Sequence, residues 1–225
     1  MLMRDTEIKA ALEQGQMRIT PFAPDRMQGA SYDLSIGGEA LVSNSDQKVI
    51  LAANTSTSLH LNAGDFALAF TKESVKLPLD MAGDIGMKSS LARSGLILLA
   101  GMQIDPGFEG HLRLGLYNAS PRRVTLDYDD GLCMVEFHRL AGPVEHQLAP
   151  NADLIEGRIP KSDRDFLRSL ETTSLSDLGK NVRTMSQSVD TLTRQMKWLA
   201  TFLVPTISAI LVALVAAIIK AWMHL

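Results

Sequence analysis

The sequence predicts a mainly β domain of sandwich or barrel type, opened by a short helix and followed by a coiled-coil helix and one transmembrane helix. Three observations carry this. Between Ala30 and Gln147 the apolar residues fall in short, often alternating runs broken by Gly, Asn, Asp and Pro, the pattern of half-buried strands. From Leu175 to Leu199 they step at alternating intervals of three and four, the seam of a coiled coil. From Trp198 to Ile219 there are 22 residues without a charge; at about 1.5 Å per residue they would reach roughly 33 Å, against a hydrocarbon core of about 30 Å.

Taken in chain order, Asp5 is placed to cap a helix over "TEIKAALEQ", with Ile8 and Leu12 on one face and Gly15 as its stop, and a loop runs to residue 22. The strand-like runs are "ASYDLSI", "EALVS", "KVILA", "TSLHL", "FALAF", "ESVKLP", "HLRLGLYN", "RVTLDY" and "LCMVEFHRL". The polar stretch "APNADLIEGRIPKSDR" (149–164) reads as a connection. The organisation expected is therefore a β domain over 1–147, a linker over 148–164, a coiled-coil helix over 165–197, a transmembrane helix over 198–219 and a short tail, 220–225.

The coiled-coil seam comprises Leu175, Leu178, Val182, Met185, Val189, Leu192, Met196 and Leu199. A lone amphipathic helix lying on its own domain is the plainer alternative; strict alternation favours self-association, so a homo-oligomer is expected. Lys197 and Lys220 flank the uncharged run, Trp198 and Trp222 stand where indole rings favour a membrane interface, and Pro205 is tolerable inside a span. The expectation is a single-pass C-terminal tail anchor in the cell inner membrane, with lipid as a partner and the β domain on the cytoplasmic side.

Composition excludes several function classes. A net charge of −3 without a basic stripe gives no nucleic-acid partner. Cys133 is the only cysteine, so no internal disulfide forms, and its apolar neighbours Leu132, Met134 and Val135 make it a buried thiol rather than a nucleophile. The five histidines lack ligand-like spacing, and no metal site is expected.

The chemistry concentrates in "KSSLARSGL", residues 88–96. Ser89 and Ser90 open a short helix, whose free N–H groups favour an anion, and Lys88 and Arg93 supply positive charge suited to phosphate oxygens. A helix cap with solvent-facing cations would look the same. The context decides between them. "FALAFTKESVKLPLDMAGDIGMKSSLARSGL", "GMQIDPGFEGHLRLGLYN" and "GLCMVEFHRLAGPVEH", together with "RDTEIKAALEQGQMRITPF" and "QGASYDLSIGGEA", resemble the dCTP deaminase and dUTPase superfamily, nearest to dCTP deaminase, over about residues 1–147.

The resemblance implies a dUTPase-like distorted β barrel or jelly roll, a homotrimer, and nucleotide sites between subunits. It assigns Lys88, Ser89, Ser90 and Arg93 to the triphosphate and Asp105 to the sugar hydroxyl with Phe108 against the sugar face, and it includes Arg113, Leu114 and Gly115 among the nucleotide-binding positions. The family's acid/base glutamate, ten residues after the aspartate, is replaced by Gly115, so no catalytic residue is assigned. Glu136 stands where many members carry a phosphate-binding glutamine, and the family's C-terminal lid has no counterpart after Gln147. A deaminase-like site needs no cofactor; Mg²⁺ would accompany a nucleotide triphosphate, and Asp33 and Asp105 stand where dUTP hydrolysis would draw carboxylates. The expected function is a membrane-anchored protein that binds a deoxynucleotide with impaired catalysis and acts as a sensor or effector, antiviral defence being one setting. The alternatives are an active dCTP deaminase or dUTP diphosphatase tethered to the membrane, and a non-binding trimeric scaffold.

Overall fold

In a computed structural model of the chain the residues described are 1–43, 48–99, 103–146, 149–169, 175–199, 201 and 204–223. The elements are α1 (Asp5–Glu13), β1 (Arg18–Thr20), β2 (Ser31–Val42), β3 (Val49–Leu51), β4 (Leu59–Leu61), β5 (Phe66–Lys76), β6 (Met81–Met87), α2 (Ser89–Arg93), β7 (Leu96–Leu98), β8 (Gln103–Ile104), β9 (Glu109–Asn118), β10 (Val124–Leu126), β11 (Gly131–Arg139), α3 (Ala152–Glu156), α4 (Lys161–Ser169), α5 (Leu175–Trp198) and α6 (Val204–Met223). They divide into two units, Met1–Ser176 and Asp177–Leu225.

Alternation along the strands builds the first unit. Leu112, Leu114 and Leu116 of β9, Leu34 and Ile36 of β2, and Val135 and Phe137 of β11 all point into one buried core, to which α1 adds Ile8. The strands form one antiparallel sheet in the order β7-β9-β5-β2-β11-β6-β8, with β1 on β5 and β3 on β2; β4 and β10 form a separate pair. The mainly β domain is as expected, with two refinements. "ASYDLSI" and most of "EALVS" make one twelve-residue strand, β2, carried through Gly37 by a register shift between Gly37 and Ala40. A side chain at residue 37 would sit 2.8 Å from Lys72 Cβ, so glycine lets the neighbouring backbone approach. "FALAF" and "ESVKLP" likewise join as β5 across a shift between Phe70 and Ser74.

Helix α1 starts one position earlier than expected. Arg4, not Asp5, occupies the N-cap, and the Glu7 carboxylate accepts the Arg4 backbone N–H at 2.9 Å, while Asp5 lies in the first turn where a carboxylate suits the helix dipole.

The supposed linker is structured. Residues 151–169 fold back on the β domain: Ile159 and Leu167 are buried with Leu41 and Phe70 in a second apolar cluster. The Asn151 side chain caps α3, accepting the Asp153 N–H at 3.0 Å, and Gly157 ends it in the left-handed region at φ 63°. The polarity that suggested a spacer lies on the solvent side of this segment together with the exposed Ile155 and Phe166, while Leu154, Ile159 and Leu167 face the sheet.

The helical tail departs from the sequence expectation in two respects: residues 165–169, expected to open the coiled-coil helix, belong to α4, where Leu167 is buried against the β domain, and the expected span is not met. Helix α5 forms, with Val182, Met185, Val189, Leu192 and Met196 exposed along it; the side chains of Leu175 and Leu178 lie outside the described residues. Among the described residues, which leave out 200, 202 and 203, the single crossing helix over 198–219 is not found. Helix α5 ends at Trp198 and α6 begins at Val204, and Lys220 limits the uncharged part of α6 to Val204–Ile219, about 24 Å of helix. Among the described residues no helix is long and apolar enough to cross a membrane.

Candidate functional site

The two sequence motifs occupy the two connections that run between opposite ends of the strand order. Helix α2 joins β6 to β7, and the "IDPGF" turn joins β8 to β9. Helix α2 has five residues with Lys88 at its N-cap. Ser89, Ser90 and Arg93 are exposed, and among the described residues Arg93 makes no ion pair or hydrogen bond. Lys88 is engaged: its Nζ lies 2.8 Å from Asp33 Oδ2, a partner on β2. Gly95, at φ 91°, closes the segment; a Cβ there would lie 2.7 Å from Ser120 Cβ, so glycine permits both the backbone conformation and the approach to the turn after β9.

Asp105 is held by a tight turn. The Phe108 N–H donates to the Asp105 carbonyl at 3.1 Å and the Gly107 N–H to the Pro78 carbonyl at 3.1 Å. The Asp105 carboxylate is half-buried and has no partner among the described residues. Phe108 packs against the main core, so one face of its ring already serves the fold. No hydrogen bond or ion pair joins α2 to Asp105 among the described residues.

On β9 the expected residues separate by face. Leu114 is fully buried in the core, so its side chain is unavailable to a ligand and its contribution is limited to backbone. Arg113 points the other way, and its Nη1 lies 2.7 Å from Asp163 Oδ2 of α4. Gly115 shares the Arg113 face. A Cβ on Gly115 would stand 3.2 Å from Phe66 Cε2 and 3.4 Å from Leu99 Cβ, and its carbonyl accepts the Leu99 N–H at 2.8 Å. The position that would carry an acid/base is walled by two apolar side chains. Glu136 lies directly opposite Asp84 in the β11–β6 register, which makes that surface locally acidic.

A further polar cluster escaped the sequence. Asp129 Oδ1 accepts from Lys72 Nζ at 2.7 Å, Arg26 Nη2 at 2.9 Å and Ser35 Oγ at 3.1 Å, and the buried Glu73 takes the Ser35 N–H and hydroxyl at 2.8 and 2.6 Å. Burial acts to raise the Asp129 carboxyl, but the hydrogen bonds from Lys72 and Ser35 and the charge of Arg26 outweigh it and hold it below the ordinary range. The bond to Asp129 raises Lys72 above its usual value. Residues separated by up to 103 positions meet here, and no local spacing announces them. Cys133 is buried and burial pushes its thiol far up, so it is inert. Among the described residues no group of three or more His, Cys, Asp or Glu could hold a metal ion.

Residues 2–140 match the family described as dCTP deaminase-like. A protein named dCTP deaminase from Thermococcus kodakarensis is 37% identical over 67% of this chain and 91% of its own length. One of the same name from Pyrococcus abyssi is 34% identical over 67% of this chain and 92% of its own length. Among solved structures, the 2′-deoxycytidine 5′-triphosphate deaminase of Agrobacterium tumefaciens superposes with a TM-score of 0.50 at 21% identity, over 60% of this chain and 47% of that chain, which supports the fold. This chain thus spans about half the length of that solved deaminase and nine-tenths of the two archaeal relatives. The match ends at Arg139–Leu140, where β11 ends, and it takes in α2, the Asp105 turn and β9 whole. The chain belongs to the dCTP deaminase-like family.

Proposed function

We propose that this chain binds a deoxynucleoside triphosphate at α2 and the Asp105 turn without deaminating it. The observation that carries the reading is the state of position 115. Gly115 has no side chain, and even a Cβ there would press on Phe66 at 3.2 Å and Leu99 at 3.4 Å, whereas the Arg93 guanidinium and Asp105 carboxylate have no partners among the described residues. Hydrolytic deamination without a metal needs a positioned acid/base to activate water and protonate the leaving amine. Phosphate binding needs only donors and charge. Mg²⁺ would arrive with the triphosphate.

The resemblance to the family supports a homotrimer. It also accounts for the absence of a hydrogen bond or ion pair between α2 and Asp105 among the described residues: each would complete a site with a neighbouring subunit. The heptad spacing of α5 supports tail association in the same assembly. Binding without turnover suits a sensor or effector, with ligand occupancy changing the state of the assembly; antiviral defence is one setting for such a device. Placement at the inner membrane with the β domain on the cytoplasmic face rests on the uncharged run Trp198–Ile219 and is tested by membrane fractionation; recovery of the full-length protein in the cytosolic fraction contradicts it.

A second reading is favoured by the relatives at 34–37% identity that are named dCTP deaminase: an active enzyme using another carboxylate. Calorimetric titration of the full-length protein with dCTP, dUTP and dTTP, paired with ammonia release from dCTP, separates the two. The proposed reading predicts binding that weakens by about 10- to 150-fold in Arg93→Ala and no ammonia above that variant. Ammonia well above it favours the enzyme, and absence of any binding leaves the scaffold.

A further inference from the structure

The segment that folds back on the domain runs along one face of β9. On β5, Ala67 and Ala69 face the main core, so Phe66, Leu68 and Phe70 face the opposite side, where the second apolar cluster lies. In the β5–β9 register Phe70 stands opposite Arg113 and Leu68 opposite Gly115. Helix α3 meets the start of β9: a Cβ on Gly110 would be 2.8 Å from the Leu154 backbone, and one on Gly157 would be 3.3 Å from the His111 ring. Three positions along from Gly110, Asp163 of α4 pairs with Arg113. The Ile159 N–H donates to Glu39 Oε2 at 2.8 Å, and Ile159 and Leu167 are buried on either side of Asp163 in sequence. Residues 151–169 therefore lie over the outer face of β9 from Gly110 to Arg113.

We propose that this segment is a latched strap, in which Asp163 holds Arg113 until an anionic group of the bound nucleotide takes its place. The inference rests on the nucleotide-binding reading above and adds its regulation. The strap has two kinds of fastening. Burial of Ile159 and Leu167 holds it to the sheet without regard to charge. The Arg113–Asp163 pair is partly open to water, with side-chain exposures of 32% and 24%, and pairs of that kind hold weakly. A phosphate group carries more charge than one carboxylate and fits the guanidinium fork, so it can displace Asp163. Loss of the latch frees α4 to shift while α3 stays seated, and α4 is the last element before the tail.

The test uses full-length protein carrying Asp163→Asn, with Leu167→Ala as a second variant that loosens the apolar fastening. Two quantities are read: amide hydrogen exchange over residues 161–169, with and without dCTP, and the dCTP dissociation constant. Asp163→Asn is expected to speed exchange over 161–169 without ligand and to tighten dCTP binding by about 2- to 5-fold, the range a partly exposed pair supports. In the parent, dCTP is expected to speed exchange there; in Asp163→Asn it adds little. Leu167→Ala should speed exchange over the whole of 151–169. Unchanged exchange in Asp163→Asn overturns the latch. Unchanged or weaker dCTP binding in Asp163→Asn, with Arg93→Ala still impaired, overturns the competition while the binding reading stands. No dCTP binding by parent or Asp163→Asn overturns the binding reading and the strap's ligand role together.

Discussion

Gly115 and the residues around it set what the site can do. A Cβ there presses on the end of the Phe66 ring at 3.2 Å and on Leu99 Cβ at 3.4 Å, contacts tight enough that these neighbours must give way to a larger side chain. Gly115→Glu is expected to destabilise the protein by about 1–3 kcal/mol through overpacking, read as a lower midpoint in thermal denaturation, and to release no ammonia from dCTP. A stable variant that deaminates would show that the pocket retains the family's geometry. Asp129 makes the second prediction at this scale. Its carboxyl lies below the ordinary range, so its contribution is present above about pH 4 and fades as pH falls through the lowered value; Lys72 lies above its usual value, so its contribution is full at neutral pH and fades only in strong base. Asp129→Asn should therefore cost about 1 kcal/mol at neutral pH, a low figure because the carboxylate is partly exposed. Its denaturation midpoint should run parallel to the parent's between about pH 5 and 9 and approach it below about pH 4. Parallel curves down to pH 2 would remove Asp129 from the account.

Among the elements, the strap is where sequence and structure part most clearly. Period-two runs made β2, β5, β9 and β11 legible, because each has one face in the core. Strand β6 was not legible: "MAGDIGM" carries two glycines and an aspartate, and it becomes a strand because β11 and β8 flank it on both sides. The short strands β1, β7 and β8 have too few residues to show a period. The strap's apolar residues Leu154, Ile159 and Leu167 are spaced too widely among charges to mark a buried segment; only the outer face of β5 gives them a place to go. The short helix α2 and the turn at Asp105 were legible from residue types in order, while the nucleotide roles proposed for them and for position 115 rest on the resemblance. The partners of Lys88 and Arg113, Asp33 and Asp163, were not, since pairing across 55 and 50 residues leaves no local signal. Leu167→Ala, at a buried position, should cost about 2–3 kcal/mol and expose the chain to protease between residues 151 and 169. Resistance equal to the parent's would mean that the strap is held by its polar contacts alone.

The whole molecule joins a family domain to a helical tail that its archaeal relatives do not share in the aligned length. The tail's apolar residues Val182, Val189, Leu192 and Met196 are exposed in one chain, a state that association would end. If the proposed trimer is held by the β domains, Val189→Asp with Leu192→Asp should separate the tails and leave the stoichiometry in native mass measurement unchanged, with a lower thermal midpoint; a monomer would place the whole assembly in the tail. The central claim, binding without deamination, is tested most directly by recovering the nucleotide held by the full-length protein after incubation with dCTP and identifying it by mass. The account predicts dCTP, unchanged and bound to the parent but lost from Arg93→Ala. Recovery of dUTP from the parent, or of no nucleotide at all, contradicts it.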